Sequence, residues 1–154
     1  MFFRAAFIAA TVVLAAPSQV FAAPIELSSA IFVEKTETAA DGTVSVTLTP
    51  AERVVPGDRL RFVISYANPS DEDADDFVIT NPIPSSIAYL EADGPVEVSV
   101  DGKAWGQLSE FSVTADDGNI RAAQPSDVTH IRWAFNSAIP AGSSGEVLYR
   151  GELR

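Results

Sequence analysis

Arg59-Leu-Arg-Phe-Val-Ile-Ser-Tyr-Ala-Asn68, RLRFVISYAN, alternates its side chains without a break. Leu60, Phe62, Ile64 and Tyr66 fall on one side, and Arg61, Val63 and Ser65 on the other. Successive side chains leave a pleated backbone in opposite directions, so a period of two marks a strand with one face in a core. The same period returns along the chain. Phe77 and Ile79 alternate with Val78 and Thr80, and Val96, Val98 and Val100 with Glu97 and Ser99. Ile131, Trp133 and Phe135 alternate with His130, Arg132 and Ala134, and Val147 and Tyr149 with Glu146, Leu148 and Arg150.

Further strands are expected near Ile25–Thr38, Thr43–Thr49, Ile87–Leu90 and Phe111–Thr114. No segment after the first two dozen residues keeps a helical period. Turn residues punctuate the pattern: Ala40-Asp41-Gly42, Pro56-Gly57-Asp58, Asp101-Gly102 and Pro140-Ala-Gly142-Ser-Ser-Gly145. Pro82 and Pro84 should end the Phe77–Thr80 strand, because proline has no N–H for the ladder. Seven to nine short strands with turns every 8–12 residues predict an all-β, antiparallel sandwich. Two sheets laid face to face bury every apolar face at once.

The opening run MFFRAAFIAATVVLAAPSQVFAA has Arg4 near its start and an apolar core from Ala5 to Ala16. Pro17 and Ser18 break that core, and small residues follow, which is the layout of a secretory signal peptide cut between Ala22 and Ala23. A span needs about 20 apolar residues, so this core is too short to be an anchor. Taking residues 1–22 from the 154 leaves 132, a single domain at 23–154. The expected destination is the periplasm or the exterior, without a membrane anchor.

There is no cysteine, which excludes thiolate catalysis, thiolate metal sites and a lipid-anchored lipoprotein. The chain carries −11; Arg4 leaves with the leader, so nine bases face 21 acids, a balance of −12. Nucleic acid and anionic lipid are poor partners for that charge.

Three patterns invite a chemical reading. In Asn68-Pro-Ser-Asp-Glu-Asp-Ala-Asp-Asp-Phe77, the residues Asp71, Asp73 and Asp75 occupy ligand positions 1, 3 and 5 of a calcium loop. Position 6 holds Asp76 where glycine should bend the chain, and position 12 holds Pro82 where a bidentate glutamate belongs. A solvated hairpin turn is the plainer account; calcium at Asp71, Asp73 and Asp75, helped by Asp93 or Asp117, is the chemical one. His130 is the one histidine, too few for a zinc site, and it should face away from Ile131 and Trp133. No GxSxG elbow is present. Trp133 belongs to a core face, whereas Trp105 follows a hairpin turn, packed on the next loop or exposed to stack on a sugar.

Several longer stretches carry a family likeness. Val55-Pro-Gly-Asp-Arg-Leu-Arg-Phe-Val-Ile-Ser-Tyr-Ala-Asn68, then Asp76-Phe-Val-Ile-Thr-Asn-Pro-Ile-Pro84 with Tyr89, resemble the bacterial conserved-repeat domain, domain of unknown function eleven. Val98-Ser-Val-Asp-Gly-Lys-Ala-Trp105, Val128-Thr-His-Ile-Arg-Trp133 and Ile139-Pro-Ala-Gly142 resemble small single-copy members behind a signal peptide. The likeness spans about residues 50–153. It implies an immunoglobulin-like sandwich of the cell envelope or surface, with no catalytic residues to carry over. One copy in place of many argues against a long adhesive stalk.

The expectation is therefore a non-catalytic exported module, structural or protein-binding, with a protein partner in the bacterial cell envelope. Its alternatives are a calcium- or glycan-binding sandwich, and a subunit that assembles by strand exchange. For the last of these, Ser29–Glu37, SAIFVEKTE, is the segment that could be donated.

Overall fold

The computed structural model describes residues 25–154; the leader and its cleavage point lie outside them. Ten antiparallel strands build an all-β sandwich and a small ribbon beside it: β1 (Glu26–Thr38), β2 (Val44–Pro50), β3 (Arg59–Ala67), β4 (Val78–Pro82), β5 (Ile87–Ala92), β6 (Glu97–Ser99), β7 (Ser112–Thr114), β8 (Ile120–Ala122), β9 (His130–Ala134) and β10 (Ser144–Leu153). The first sheet runs β2-β1-β3-β10-β5 and the second β4-β9-β6; β7 and β8 form a separate two-stranded ribbon. The chain changes sheets between β3 and β4, between β4 and β5, between β5 and β6, and between β9 and β10. Among the described residues no helix is long and apolar enough to cross a membrane.

The core follows the alternation. Leu60, Phe62 and Ile64 of β3 are buried together with Tyr149 of β10, Ile87 and Tyr89 of β5, Ile79 of β4, and Ile131 and Trp133 of β9. Phe62 and Tyr149 stack with ring centroids 4.4 Å apart and planes within 3°. Such a pair contributes about 1 kcal/mol beyond its buried area. Trp133 leans on Tyr149 from the opposite sheet, at 6.5 Å. On the outer face of the first sheet Arg61 lies directly opposite Arg150, and Glu34 ties both together at 3.3 and 3.2 Å. Two like charges in register repel, so the shared carboxylate holds the pair in place.

Three details depart from the sequence reading. There are ten strands because Ile120-Arg-Ala122 pairs with β7; three residues are too few to display a period. Val96–Val100 shortens to Glu97–Ser99, and Ser99 is wholly buried, its hydroxyl accepting the Gly102 N–H of the Asp101-Gly102 turn at 2.8 Å. Pro82 does not stop short of the ladder but forms its last rung, opposite His130. Phe77 accepts the Phe135 N–H and Ile83 donates to the Thr129 carbonyl, at the two ends of β9, so Val78, Thr80 and Pro82, of the other parity, turn their backbones to the free side. The missing N–H of Pro82 is therefore aimed where no strand lies, the place an edge strand tolerates proline.

Candidate functional site

The two flanks of the sandwich are finished differently. On one flank β6 is closed by Gly106, which exchanges both backbone hydrogen bonds with Val98 at 2.9 and 3.2 Å. The short turn Pro125–Asp127 packs against β5 on the same flank. Asp127 fixes that turn: it accepts the Gln124 N–H at 2.7 Å and takes both guanidinium arms of Arg121, at 2.6 and 2.8 Å. The Arg121 guanidinium holds the Asp127 carboxyl well below its usual range, at about 2.

On the other flank the sandwich stays open. The inner face of β1 carries Leu27, Ser29, Ile31 and Val33, in register with Tyr66, Ile64, Phe62 and Leu60 of β3. Val33 is only 5% exposed, but Leu27 is 54% and Ile31 44% exposed, because the second sheet stops at β4. A seam runs between β1 and β4. One depression of about 280 Å³ lies against Leu27, Ile64 and Ile79, and another of about 190 Å³ against Ile31, Phe62 and Pro84. Tyr149 lies at the floor, its hydroxyl accepting a hydrogen bond from Asn81 Nδ2 at 3.2 Å. Burial pushes the Tyr149 hydroxyl up to about 12, so this contact keeps its proton at any ordinary pH.

Both walls of the seam offer unpaired backbone. The Ala51 N–H bonds to Ile31 and the Ala39 N–H to Thr43, so odd-numbered residues of β1 face the β2 side. β2 ends at Pro50, opposite Phe32, and Glu52 turns away. Leu27 and Ser29 therefore point their N–H and C=O groups along an edge that β2 never reaches. Val78 and Thr80 do the same on β4. Unpaired edges of this kind are templates for another strand.

Beyond the last rung with β3, at Val33–Leu60, β1 and β2 continue alone as an arm. Every residue of β2 is exposed. Val44, Val46 and Leu48 share one side of it with Thr38, Thr36 and Glu34, the side turned away from Val33 and the core. Of the nine large apolar residues exposed among the described ones, six belong to the seam or this arm: Leu27, Ile31, Val44, Val46, Leu48 and Val78. Sequence reading placed the strands and did not find this feature. Its signal was available in Val44–Pro50, VSVTLTP, a strand-length run in an acidic chain with no charge on either face, so that neither its apolar nor its polar row is marked for solvent.

The sites named from sequence are dispersed. Asp71, Asp73 and Asp75 lie on the loop that crosses from β3 to β4, and all three are exposed. Asp73 accepts the Ala141 N–H at 2.9 Å. Asp93 is engaged by Arg150 at 3.0 Å, and Asp117 closes its own turn with Asn119. Among the described residues no three His, Cys, Asp or Glu side chains gather as a metal group. The loop is held instead by Asn68, 1% exposed, whose Nδ2 donates to the carbonyls of Glu72 and Ile139 at 2.8 and 2.9 Å. Its Oδ1 accepts the Ser70 hydroxyl at 2.6 Å. Asn68 was legible as the end of a strand, but its role as the buried post of the acidic loop was not.

Trp105 packs on the outer side of the second sheet. Arg132 covers its ring at 4.6 Å and bonds to Glu97 at 2.6 Å, while His130 meets the ring edge-on at 6.2 Å. His130 is half-buried, with Nδ1 2.9 Å from the Thr129 hydroxyl. Among the described residues no carboxylate bonds to its ring. Ser29–Glu37 lies within β1, tied to β3 through Val33 and to β2 from Phe32 onward. No family model, curated protein or solved structure matches the chain.

Proposed function

We propose that this protein is a non-catalytic, exported interaction module that recognises a protein partner by strand addition at the β1/β4 seam. The carrying observation is the seam itself: two unpaired strand edges beside a pair of depressions lined by uncharged residues, with no charged residue among Leu27–Ile31 or Ile79–Pro82. A strand with alternate apolar residues fits such a cleft, since main-chain bonds hold it and every second side chain enters the floor. The leader-like opening run supports work in the bacterial cell envelope or beyond it. Acid–base or nucleophilic catalysis finds no support in the neighbourhood of His130 described above.

Hydrogen exchange tests the reading. A short peptide alternating valine and threonine is added to the exported protein, and backbone amides are followed by NMR. Slowed exchange at Leu27 and Ser29, or at Val78 and Thr80, is the expected result. Unchanged exchange at all four amides under saturating peptide overturns strand addition as the mode of binding.

A further inference from the structure

We infer that the strand received by the seam is β2 of a second copy of this chain. The inference rests on the strand-accepting reading above and names its partner. Three observations lead to it. First, the arm presents Val44, Val46 and Leu48 on the side away from its own core, so its own sandwich cannot bury them. Second, both surfaces are free of charge: Leu27-Ser-Ser-Ala-Ile31 on the seam, Val44–Pro50 on the arm. Copies that each carry a large negative charge repel, and they meet at least cost where neither surface is charged. Third, the edges match in parity. The Ala39–Thr43 and Ala51–Ile31 bonds place odd residues of β2 toward β1, so Val44, Val46 and Leu48 turn their backbones to the free edge.

That parity selects one of the two walls. In an antiparallel pair, residues bonded to each other carry side chains on the same face. On β1 the free backbone groups belong to Leu27 and Ser29, whose side chains face the seam. Antiparallel addition there sends Val44, Val46 and Leu48 into the cleft, onto Ile31, Ile64 and Ile79. On β4 the free groups belong to Val78 and Thr80, which face outward, so antiparallel addition there would leave the same row in solvent. The arm therefore docks along β1, and β4 forms the far wall. Because arm and seam are different patches, the contact is head-to-tail and copies can add in series.

The chain is expressed whole, leader included, and the exported product is sedimented over a wide concentration range. The expected mass rises with concentration, and rises further with added salt, which screens repulsion between like-charged copies. Val46→Lys on the arm and Ser29→Arg on the seam each weaken association by about tenfold or more, equivalent to about 1.4 kcal/mol. Both positions are exposed, so circular dichroism and the melting temperature stay at wild-type values. In the associated state exchange slows at Leu27 and Ser29 and not at Val78 and Thr80. A single monomeric species at every concentration, or a Val46→Lys variant that associates like the wild type, overturns the inference. The valine–threonine peptide separates this from the broader reading: a protein that stays monomeric yet protects Leu27 and Ser29 when that peptide binds keeps a strand-accepting seam and loses self-recognition. Loss of both means that neither holds.

Discussion

The β5/β6 flank and the β1/β4 flank are built from the same alternating strands and end in opposite ways. On the first, a bridge from Gly106 satisfies β6, and a turn pinned by Asp127 and Arg121 packs on β5. On the second, Leu27, Ser29, Val78 and Thr80 keep free backbone, and the two depressions of the seam are lined by no charged residue. Sheet edges are commonly protected with charge, proline or a covering segment. Here only Pro82 on β4 and Pro50 on β2 serve that end, each at the last position of its strand. One flank is finished by its own chain and the other is left for a partner. The contrast makes stability and recognition separable, and each prediction below acts on one flank while using the other as control.

The largest effect is expected at the closed core. Tyr149→Ala removes the ring that stacks on Phe62 and touches Trp133, and should cost about 3–5 kcal/mol in denaturant unfolding. Leu27→Ala, on the inner face of the same sheet but half exposed, should cost less than about 1 kcal/mol. Equal losses would mean that the seam is closed in solution.

Asn68→Ala comes next, at about 2–3 kcal/mol, since it removes the buried amide that bonds to the carbonyls of Glu72 and Ile139 and to the Ser70 hydroxyl, and so frees the acidic loop. Asn68→Asp should be worse, because its carboxylate would face the same carbonyls without donors. This sharpens the comparison on the open side: the loop leading into β4 is rigid even though the edge of β4 is free. Near-wild-type stability for both variants would remove Asn68 as the post of the loop.

Acid separates the flanks by charge. A carboxyl whose pKa is depressed on folding contributes stability above its ordinary value, near 3.8, and that contribution is lost as pH falls toward the folded value, about 2 for Asp127. Amide exchange in β5 and the Pro125–Asp127 turn should therefore accelerate through that window, and Arg121→Ala should weaken the acid dependence, leaving the part due to the Gln124 N–H and Arg154. The uncharged residues of the seam should show no matching step. At the other extreme, Tyr149 stays protonated in the fold up to about 12, so stability should fall as pH rises from 10 toward that value.

Much of this architecture could be read in the residues before any coordinates. Leu60, Phe62 and Ile64 declare their strand because a period of two survives over nine residues, and the same holds around Trp133 and Tyr149. β8 could not be read, since Ile120-Arg-Ala122 is shorter than any period it could show. The open seam was illegible for a different reason. Alternation tells which face of β1 is apolar, but whether Leu27 and Ile31 are covered depends on how far the second sheet extends, and that is set by the non-local pairing of β4 with β9. What holds the acidic run was illegible in the same way. Asp71, Asp73 and Asp75 lie within five residues of one another, while the group that holds their loop, Asn68, works through Ile139 and Pro140, some 70 residues further along the chain.

The smallest effect should come from replacing Asp71, Asp73 and Asp75 together by Asn. All three are exposed, and the one backbone donor that they satisfy, the Ala141 N–H, can be served by an amide oxygen as well as by a carboxylate. Removing three like charges from one short loop relieves repulsion in a chain that already carries −11, so unfolding free energy should stay within about 0.5 kcal/mol of wild type, on the stabilising side if it moves. Calcium should leave the melting temperature of either protein unchanged, since an ion bound by the native state alone would raise it by mass action. A calcium-dependent rise in the wild type that disappears in the triple variant would place a ligand site on the loop entering β4, and the open flank would then have a second means of recognising what it meets.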